Sequence, residues 1–401
     1  MELRRARSLV GYWIDGELVL DNYLDAASET GERNGVAVDG PSIDILEQFG
    51  DWTDPETVPD RLDHYDASSV RDAIKALTEA GLLRTRDEVT IEDQVMDAWQ
   101  PWGEPATFFH FGTKDTAYVS VDGAVADAGM AARREEIRAE IAADGPPPAI
   151  FARNPDAKRI HLTRAFLPLR RDFGEVLVSR RTHRTYKDEP VPLRSLSTVL
   201  HYTFAPMYFY DAGMLGNLML RTSPCGGARH ESECYVVVRN VEQIPPGVYH
   251  YSPEDHSLEI VSAGVDEQLM DRVLFSQKMI TTAGFVCFLT VNLPRAMYKY
   301  RSARMLRTVL LNTGHLAQTF ALCSTAVGLG PAQNDAFSDS EVESMLGIDG
   351  VSETAMYVLA AGVPDRRTDG FPIEDGHDDL ERRVGESLAR ATEPGGDTWG
   401  A

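Results

Sequence analysis

The sequence predicts an α+β protein built from more than one domain. Three observations carry that prediction. Apolar, β-branched runs at residues 234–239, 285–291 and 356–361 have the composition of central strands. Residues 306–327 are long enough and periodic enough for a helix lying between the second and third of them. Residues 42–90 carry a separate set of short helical patterns. At 401 residues the chain is also too long for one ordinary core.

The N-terminal elements follow from caps and spacing. Ile43, Leu46 and Phe49 share one helical face. Asp54-Pro55 opens a short second helix containing Val58 and Leu62. Asp66 has the position of an N-cap for a third helix, with Val70, Ile74 and Leu77 on one face and Gly81 as its stop. Leu82-Leu83-Arg84-Thr85 and Val89-Thr90-Ile91 are then expected to pair as a β-wing. A strand-like piece at residues 107–110, a charged helix at 131–143 and the Gly145-Pro146-Pro147-Pro148 run follow, the last marking a domain boundary. Beyond it, Tyr249-His250-Tyr251 reads as part of a hairpin turning at Ser252-Pro253-Glu254-Asp255. Leu310, Gly314, Ala317, Ala321 and Ser324 give the long helix a small-residue face for close packing. The acidic stretch after residue 374 reads as a surface helix and frayed tail.

Hydrophobic and charged fractions of 43% and 25% are those of a soluble globular protein. A net charge of −23 disfavours nucleic acid, whose phosphates need Lys and Arg. Four widely spaced cysteines, Cys225, Cys234, Cys287 and Cys323, suggest neither a disulfide framework nor a zinc ribbon. His230 and Cys234 make half a metal site with no second half nearby, so no metal is expected. The N-terminus lacks a signal-peptide core, and the most apolar run, 285–291, is far too short for a bilayer. The expectation is a reduced, cytoplasmic setting with no membrane partner.

Four segments carry candidate chemistry. Arg180-Arg181-Thr182-His183-Arg184-Thr185-Tyr186 places three arginines within five residues, which suits a phosphate or, more plainly, a solvated basic loop. In Pro224-Cys225-Gly226-Gly227-Ala228-Arg229-His230 the paired glycines let backbone approach a flat ligand; a simple turn into the next strand is the other reading. Lys299-Tyr300 precedes the long helix, on which Gly314-His315-Leu316-Ala317-Gln318 stands. The Gly328-Leu329-Gly330 start is no dinucleotide fingerprint, because no GxGxxG follows a strand anywhere.

Together these segments resemble the nitroreductase fold in its SagB-like form, the FMN-dependent azoline dehydrogenases, over roughly residues 165–365. The resemblance implies a central mixed sheet flanked by helices and a homodimer with FMN at its interface. It implies phosphate binding by Arg180, Thr182 and Arg184, with weaker claims for Arg181 and for Arg366 or Arg367. It implies contacts to the flavin from Pro224, Cys225, Gly226 and Gly227, from Gln277, and from Asn334, Asp335 and Ala336. Lys299 and Tyr300 are implied to be catalytic; the run Arg301-Ser302-Ala303-Arg304 departs from the family pattern. His315 and Gln318 match family positions as packing or interface groups. Residues 1–105 are similar to PqqD-like winged-helix leader-recognition modules; helix three is too acidic for DNA. The implied organisation is 1–105 for this module, 106–150 for a connection, 151–373 for the FMN domain and 374–401 for the tail.

The residue types suit the chemistry. Oxidising a thiazoline or oxazoline to its azole removes a proton from the α-carbon and a hydride from the ring carbon. Free Tyr has a pKa of about 10, so a Tyr base needs a neighbouring cation, whereas a half-buried Lys is itself a candidate base. The flavin takes the hydride and oxygen restores it. Expected partners are an azoline-containing precursor peptide, a second copy of the chain and a cyclodehydratase complex. An NAD(P)H-dependent nitroreductase or flavin reductase, and a non-catalytic scaffold, remain the alternatives.

Overall fold

The computed structural model describes residues 1–25, 35–116, 128–152 and 154–365. Arg366, Arg367 and the expected tail lie outside the described residues. Two compact units are present: Met1–Glu140 together with Ser302–Arg304, and the chain from Ile141 onward without that segment.

The first unit begins with β1 (Arg4–Arg5), β2 (Leu9–Ile14), β3 (Glu17–Asn22) and β4 (Val36–Val38). β2, β3 and β4 form an antiparallel sheet in that order. Asp15 and Gly16 make the two-residue turn between β2 and β3, with φ of 51° and 88°. An Asp-Gly pair is favoured there because both central residues of such a turn need positive φ. Helices α1 (Gly40–Glu47), α2 (Val58–Arg61) and α3 (Ala67–Glu79) follow as expected. Asp66 caps α3 by accepting from Ser69 N at 2.9 Å, and Gly81, at φ 73°, ends it. Phe49, Val58, Val70, Ile74 and Leu77 close one core with Leu3 and Leu83.

Two local expectations in this unit are corrected. β5 (Leu83–Arg84) pairs with β1, not with residues 89–91. The expected wing is broken because Glu88 folds back to accept from Thr85 N and Oγ1 at 2.7 and 2.8 Å. Thr90 then starts α4 (Thr90–Trp99), whose first-turn Glu92 accepts from Arg7 N, Ser8 N and Ser8 Oγ. Residues 107–110 are helical, within α5 (Gly103–Gly112): Pro105 suits a first helical turn, and Thr107 returns its hydroxyl to Gly103 O at 2.9 Å. α6 (Ala128–Ala143) follows.

In the second unit the chain runs β6 (Arg159–His161), α7 (Phe173–Ser179), α8 (Leu193–Phe204), β7 (Tyr208–Asp211) and β8 (Asn217–Leu220). Next come β9 (Ser232–Val238), β10 (Gly247–Ser252), β11 (Ser257–Ala263), α9 (Glu267–Val273) and α10 (Lys278–Thr281). It ends with β12 (Phe285–Asn292), α11 (Leu293–Lys299), α12 (Met305–Ala326), β13 (Gly330–Asn334), α13 (Asp339–Leu346) and β14 (Glu353–Gly362). Seven strands form one sheet in the order β13-β14-β12-β9-β10-β11-β6. Among the described residues every pairing in it is antiparallel, where a mixed sheet was expected. The reason lies in the connections: β9 to β10 to β11 is a meander, and β12 meets both β9 and β14 head to tail.

Alternation along the central strands feeds two apolar layers. Val236, Val238, Phe285 and Cys287 face α8 and α12, packing on Leu200, Leu316 and Phe320. Val237, Val286 and Phe288 face the other way, toward α9, α10 and α13 through Met270, Ile280 and Val342. Phe288 is fully buried and meets Phe337 edge-on at 6.2 Å. Phe288→Ala is therefore expected to cost about 3–5 kcal/mol in denaturant unfolding of the second unit. A loss below about 1 kcal/mol would mean that this layer is not the core.

Residues 145–149 are tied into the second unit at several points. Pro147 lies against Gly216, Tyr298 Oη donates to Gly145 O at 2.8 Å, and Arg295 Nε donates to Ala149 O at 2.8 Å. On α12, Ala317, Ala321 and Ser324 are buried, but Leu310 and Gly314 on the same side are exposed.

Candidate functional site

The basic loop begins where α7 stops. Asp172 caps that helix through Glu175 N, and Ser179 closes it, so Arg180 leaves in extended backbone. His183, buried, fixes the loop to β13: its N–H donates to Pro331 O at 2.9 Å, and its ring fills the space that a Cβ on Gly330 would need. Tyr186 anchors the far end through hydrogen bonds to His183 O and Met279 O. The three arginines are not equivalent. Arg181 turns back to its own chain, donating to Val178 O at 2.6 Å and Arg180 O at 2.8 Å. Arg184 is exposed and reaches Thr182 O at 3.5 Å, while Arg180 and Thr182 are half-buried.

The loop's strand β13 ends in a second group. Gln277 Nε2 donates to Ala336 O at 3.0 Å, Asn334 Nδ2 donates to Gln277 Oε1, and Ala336 N donates to Asn334 Oδ1 at 3.1 Å. Asp335 stands exposed between them. Gln277 is presented by Phe275 and Ser276, both left-handed with φ of 51° and 58°. Such backbone in non-glycine residues costs energy and persists only where its surroundings impose it.

The third group joins the glycine loop to the Lys-Tyr pair. Gly227 has φ 82°, and a Cβ there would collide with the Tyr300 hydroxyl and ring; one on Gly226 would collide with Thr308. Neither position accepts a side chain as built. Ala228 and His230 are also left-handed, at φ 54° and 46°. Lys299 Nζ stands over the Tyr300 ring, 5.3 Å from its centroid. Asn312, buried in the middle of α12, accepts from Gly226 N at 2.9 Å and donates to Glu231 Oε1 at 2.7 Å. His315, exposed, meets Pro224 O through Nδ1 at 3.1 Å; Gln318 is exposed too. Burial, then the Glu231 carboxylate, push the Cys225 thiol up to about 12. Arg301, where the sequence departs from the family pattern, pairs with Asp144.

Thus the structure brings Gln277, Asn334 and Ala336 together, and separately Gly226, Gly227, Lys299 and Tyr300. Both groups touch α12, the first through Gln333 Nε2 on Ala317 O at 2.7 Å and the second through Pro224 on His315. A cavity of about 840 Å³ lies elsewhere, lined by Lys187, Asp188, Glu189 and Asp365 as well as Tyr186. Its carboxylates make it a poor phosphate site.

Behind the Lys-Tyr group runs a buried ladder of charge that the sequence did not announce. Arg295 pairs with Glu233 at 2.5 Å, Glu233 with His250 at 3.0 Å, His250 with Glu259 at 3.1 Å, and Glu259 with Arg159 at 2.6 Å. Burial alone would depress His250, but its bonds to Glu233 and Glu259 outweigh that and raise it to about 9. Burial would raise Glu233, yet Arg295 and then His250 hold it down at about 2. Because the folded pKa of His250 exceeds its unfolded value near 6.5, its stabilisation is whole below about pH 6.5 and lost as pH rises through about 9. Thermal stability is expected to fall between pH 6.5 and 9.5, by on the order of 3 kcal/mol, and less steeply in His250→Gln. Identical slopes in the two proteins would exclude this source.

The nitroreductase family profile matches residues 177–363. A protein of Methanocaldococcus jannaschii named as a nitroreductase, MJ1384, is 35% identical over 175 residues, covering 43% of this chain and 83% of that protein. The chain belongs to the nitroreductase family. The nitroreductase region thus reaches from the end of α7 to just past β14, and contains all three groups. Two further relatives come from Rhizobium leguminosarum bv. trifolii. The trifolitoxin-processing protein TfxB is 29% identical over 179 residues, 43% of this chain and 48% of TfxB. The trifolitoxin operon protein TfxC is 24% identical over 320 residues, 76% of this chain and 85% of TfxC. Among the described residues no helix is long and apolar enough to cross a membrane.

Proposed function

We propose that this nitroreductase-family protein is an FMN-dependent dehydrogenase that oxidises thiazoline or oxazoline rings to azoles in a ribosomally made peptide. The observation that carries the reading is the contact of Gly227 with Tyr300, which sets a backbone suited to a flat ligand directly against the Lys-Tyr pair. The relatives named for trifolitoxin support a role in maturing such a product.

The residues present fit FMN. Gln277 and Asn334 offer paired amides, and the half-buried Arg180 presents a guanidinium with no hydrogen-bond or ion-pair partner among the described residues. Arg180, Arg184 and the Thr182 hydroxyl would hold the phosphate; Gln277, Asn334, Asp335 and Ala336 would meet the ring edge. Pro224, Cys225, Gly226 and Gly227 would lie along its face. Bound FMN would supply the acceptor for the hydride leaving the ring carbon. Tyr300 or Lys299 takes the α-carbon proton, and the ammonium over the phenol ring favours the charged form of a Tyr base. The exposed Leu306, Leu310 and Leu311 on α12 favour a second copy of the chain as its cover. Residues 1–105 act as the recognition module for the precursor peptide, alongside a cyclodehydratase partner.

The test is the visible spectrum of the purified protein, with the released cofactor identified, followed by anaerobic addition of an azoline peptide. Stoichiometric FMN bleached by the peptide supports the reading. Bleaching by NAD(P)H alone favours an NAD(P)H-dependent nitroreductase or flavin reductase instead. A protein that takes up no FMN is a scaffold.

A further inference from the structure

We infer that Arg295 is a positioning residue, clamping the glycine loop and the helix that ends in Lys299-Tyr300 into one rigid piece. The inference rests on the reading of Tyr300 given above, but its evidence is independent of it. Gly227 and Tyr300 lie in segments about seventy residues apart, and their packing depends on what fixes each segment. Arg295 ties both segments. It sits in α11, four residues before Lys299, and its backbone carbonyl accepts from Arg229 Nε at 3.1 Å. Its guanidinium donates to His230 O at 3.3 Å and to Ala149 O at 2.8 Å, and pairs with Glu233 at 2.5 Å.

So one side chain holds the carboxyl end of the glycine loop while its own peptide unit holds the loop's arginine. Of the two loop residues that it grips, His230 is itself left-handed at φ 46°, and Arg229 follows the left-handed Ala228 at φ 54°. Strain of that kind survives only if the surroundings over-determine it. Arg295 is only 2% exposed, so its charge must be matched, and Glu233 matches it. Glu233 is in turn held by His250, Glu259 and Arg159, which extends the anchorage across four strands. Lysine keeps the charge but lacks the fork that serves three acceptors at once.

The experiment uses the full chain with 3-fluorotyrosine at position 300, read by fluorine NMR without added flavin. In Arg295→Lys the resonance is expected to move from its wild-type position. Glu233→Gln, which keeps shape and an acceptor, should move it in the same sense and serves where Arg295→Lys does not fold. With FMN bound, turnover of an azoline peptide should fall about 10²-fold at unchanged KM and flavin content, the cost of misplacing a group by about 1 Å. Gly227→Ala, which displaces Tyr300 directly, should give a loss that does not add to that of Arg295→Lys. An unmoved resonance in both folded variants, or additive losses, overturns the clamp. Full turnover in Tyr300→Phe overturns the reading of the site instead, and the resonance alone then decides the clamp.

Discussion

Lys299→Ala and Tyr300→Phe are each expected to bind FMN at wild-type stoichiometry and to lose azoline-peptide turnover by about 10²- to 10⁴-fold. The asymmetry between binding and turnover follows from where these side chains stand. Tyr300 touches Gly227 through its hydroxyl and ring edge, so removing the hydroxyl deletes a proton-transfer group without emptying the space beside the loop. Lys299 lies over the ring face, so its loss removes a cation and leaves the loop's bonds to Asn312 and Arg295 in place. Steady-state turnover together with flavin content by absorbance distinguishes the outcomes. Full activity in both variants removes the catalytic assignment, and loss of flavin in either shows a binding role.

Arg180→Ala and Arg184→Ala are expected to weaken FMN by about 10- to 150-fold each, since a hydrogen bond to a charged group is worth about 1.5–3 kcal/mol. Arg181→Ala should cost much less. Its guanidinium is already spent on Val178 O and Arg180 O, which makes it a brace for the turn after α7. Titrating flavin-free protein with FMN, following fluorescence quenching, separates the three. Equal losses at all three positions would mean that the loop acts through its summed charge, as a solvated basic patch would.

The legible parts of this molecule were those written in local spacing. Asp66 and Gly81 bracket α3 because a cap and a positive-φ stop are single-residue signals. The central strands could be read because both of their faces are apolar, which leaves a continuous run. The pairing of those strands could not, since direction in a sheet depends on connections that composition does not encode. Thr107 to His110 looked like a strand because an aromatic run of four residues has no period of its own; Pro105 just before it was the helix signal. The Asp15-Gly16 turn is equally local, an Asp-Gly pair between two apolar runs. At the site, Gly227 and Tyr300 were each singled out, yet their contact is a property of the fold. His183, Asn312 and Arg295 were missed for a related reason. Their roles are bonds to backbone atoms far along the chain, and only Asn312, a buried amide amid apolar helix, carried a trace of it.

The strand order has a consequence for how the molecule is made. β12 is an inner strand of the large sheet, flanked by β9 from before it and β14 from after it. β14 pairs on its other edge with β13, so β13 has no strand neighbour, and β12 keeps one edge open, until residue 362 has been synthesised. The first unit, whose helices pack on residues within some eighty positions, completes its core long before then. Synthesis therefore imposes an order: at about 5–20 residues per second, the ribosome holds the second unit open for many seconds after the first has closed. During that interval Phe285 to Asn292 is an apolar strand with one unpaired edge, and it is there that a chaperone, or a second nascent chain, would find its hold.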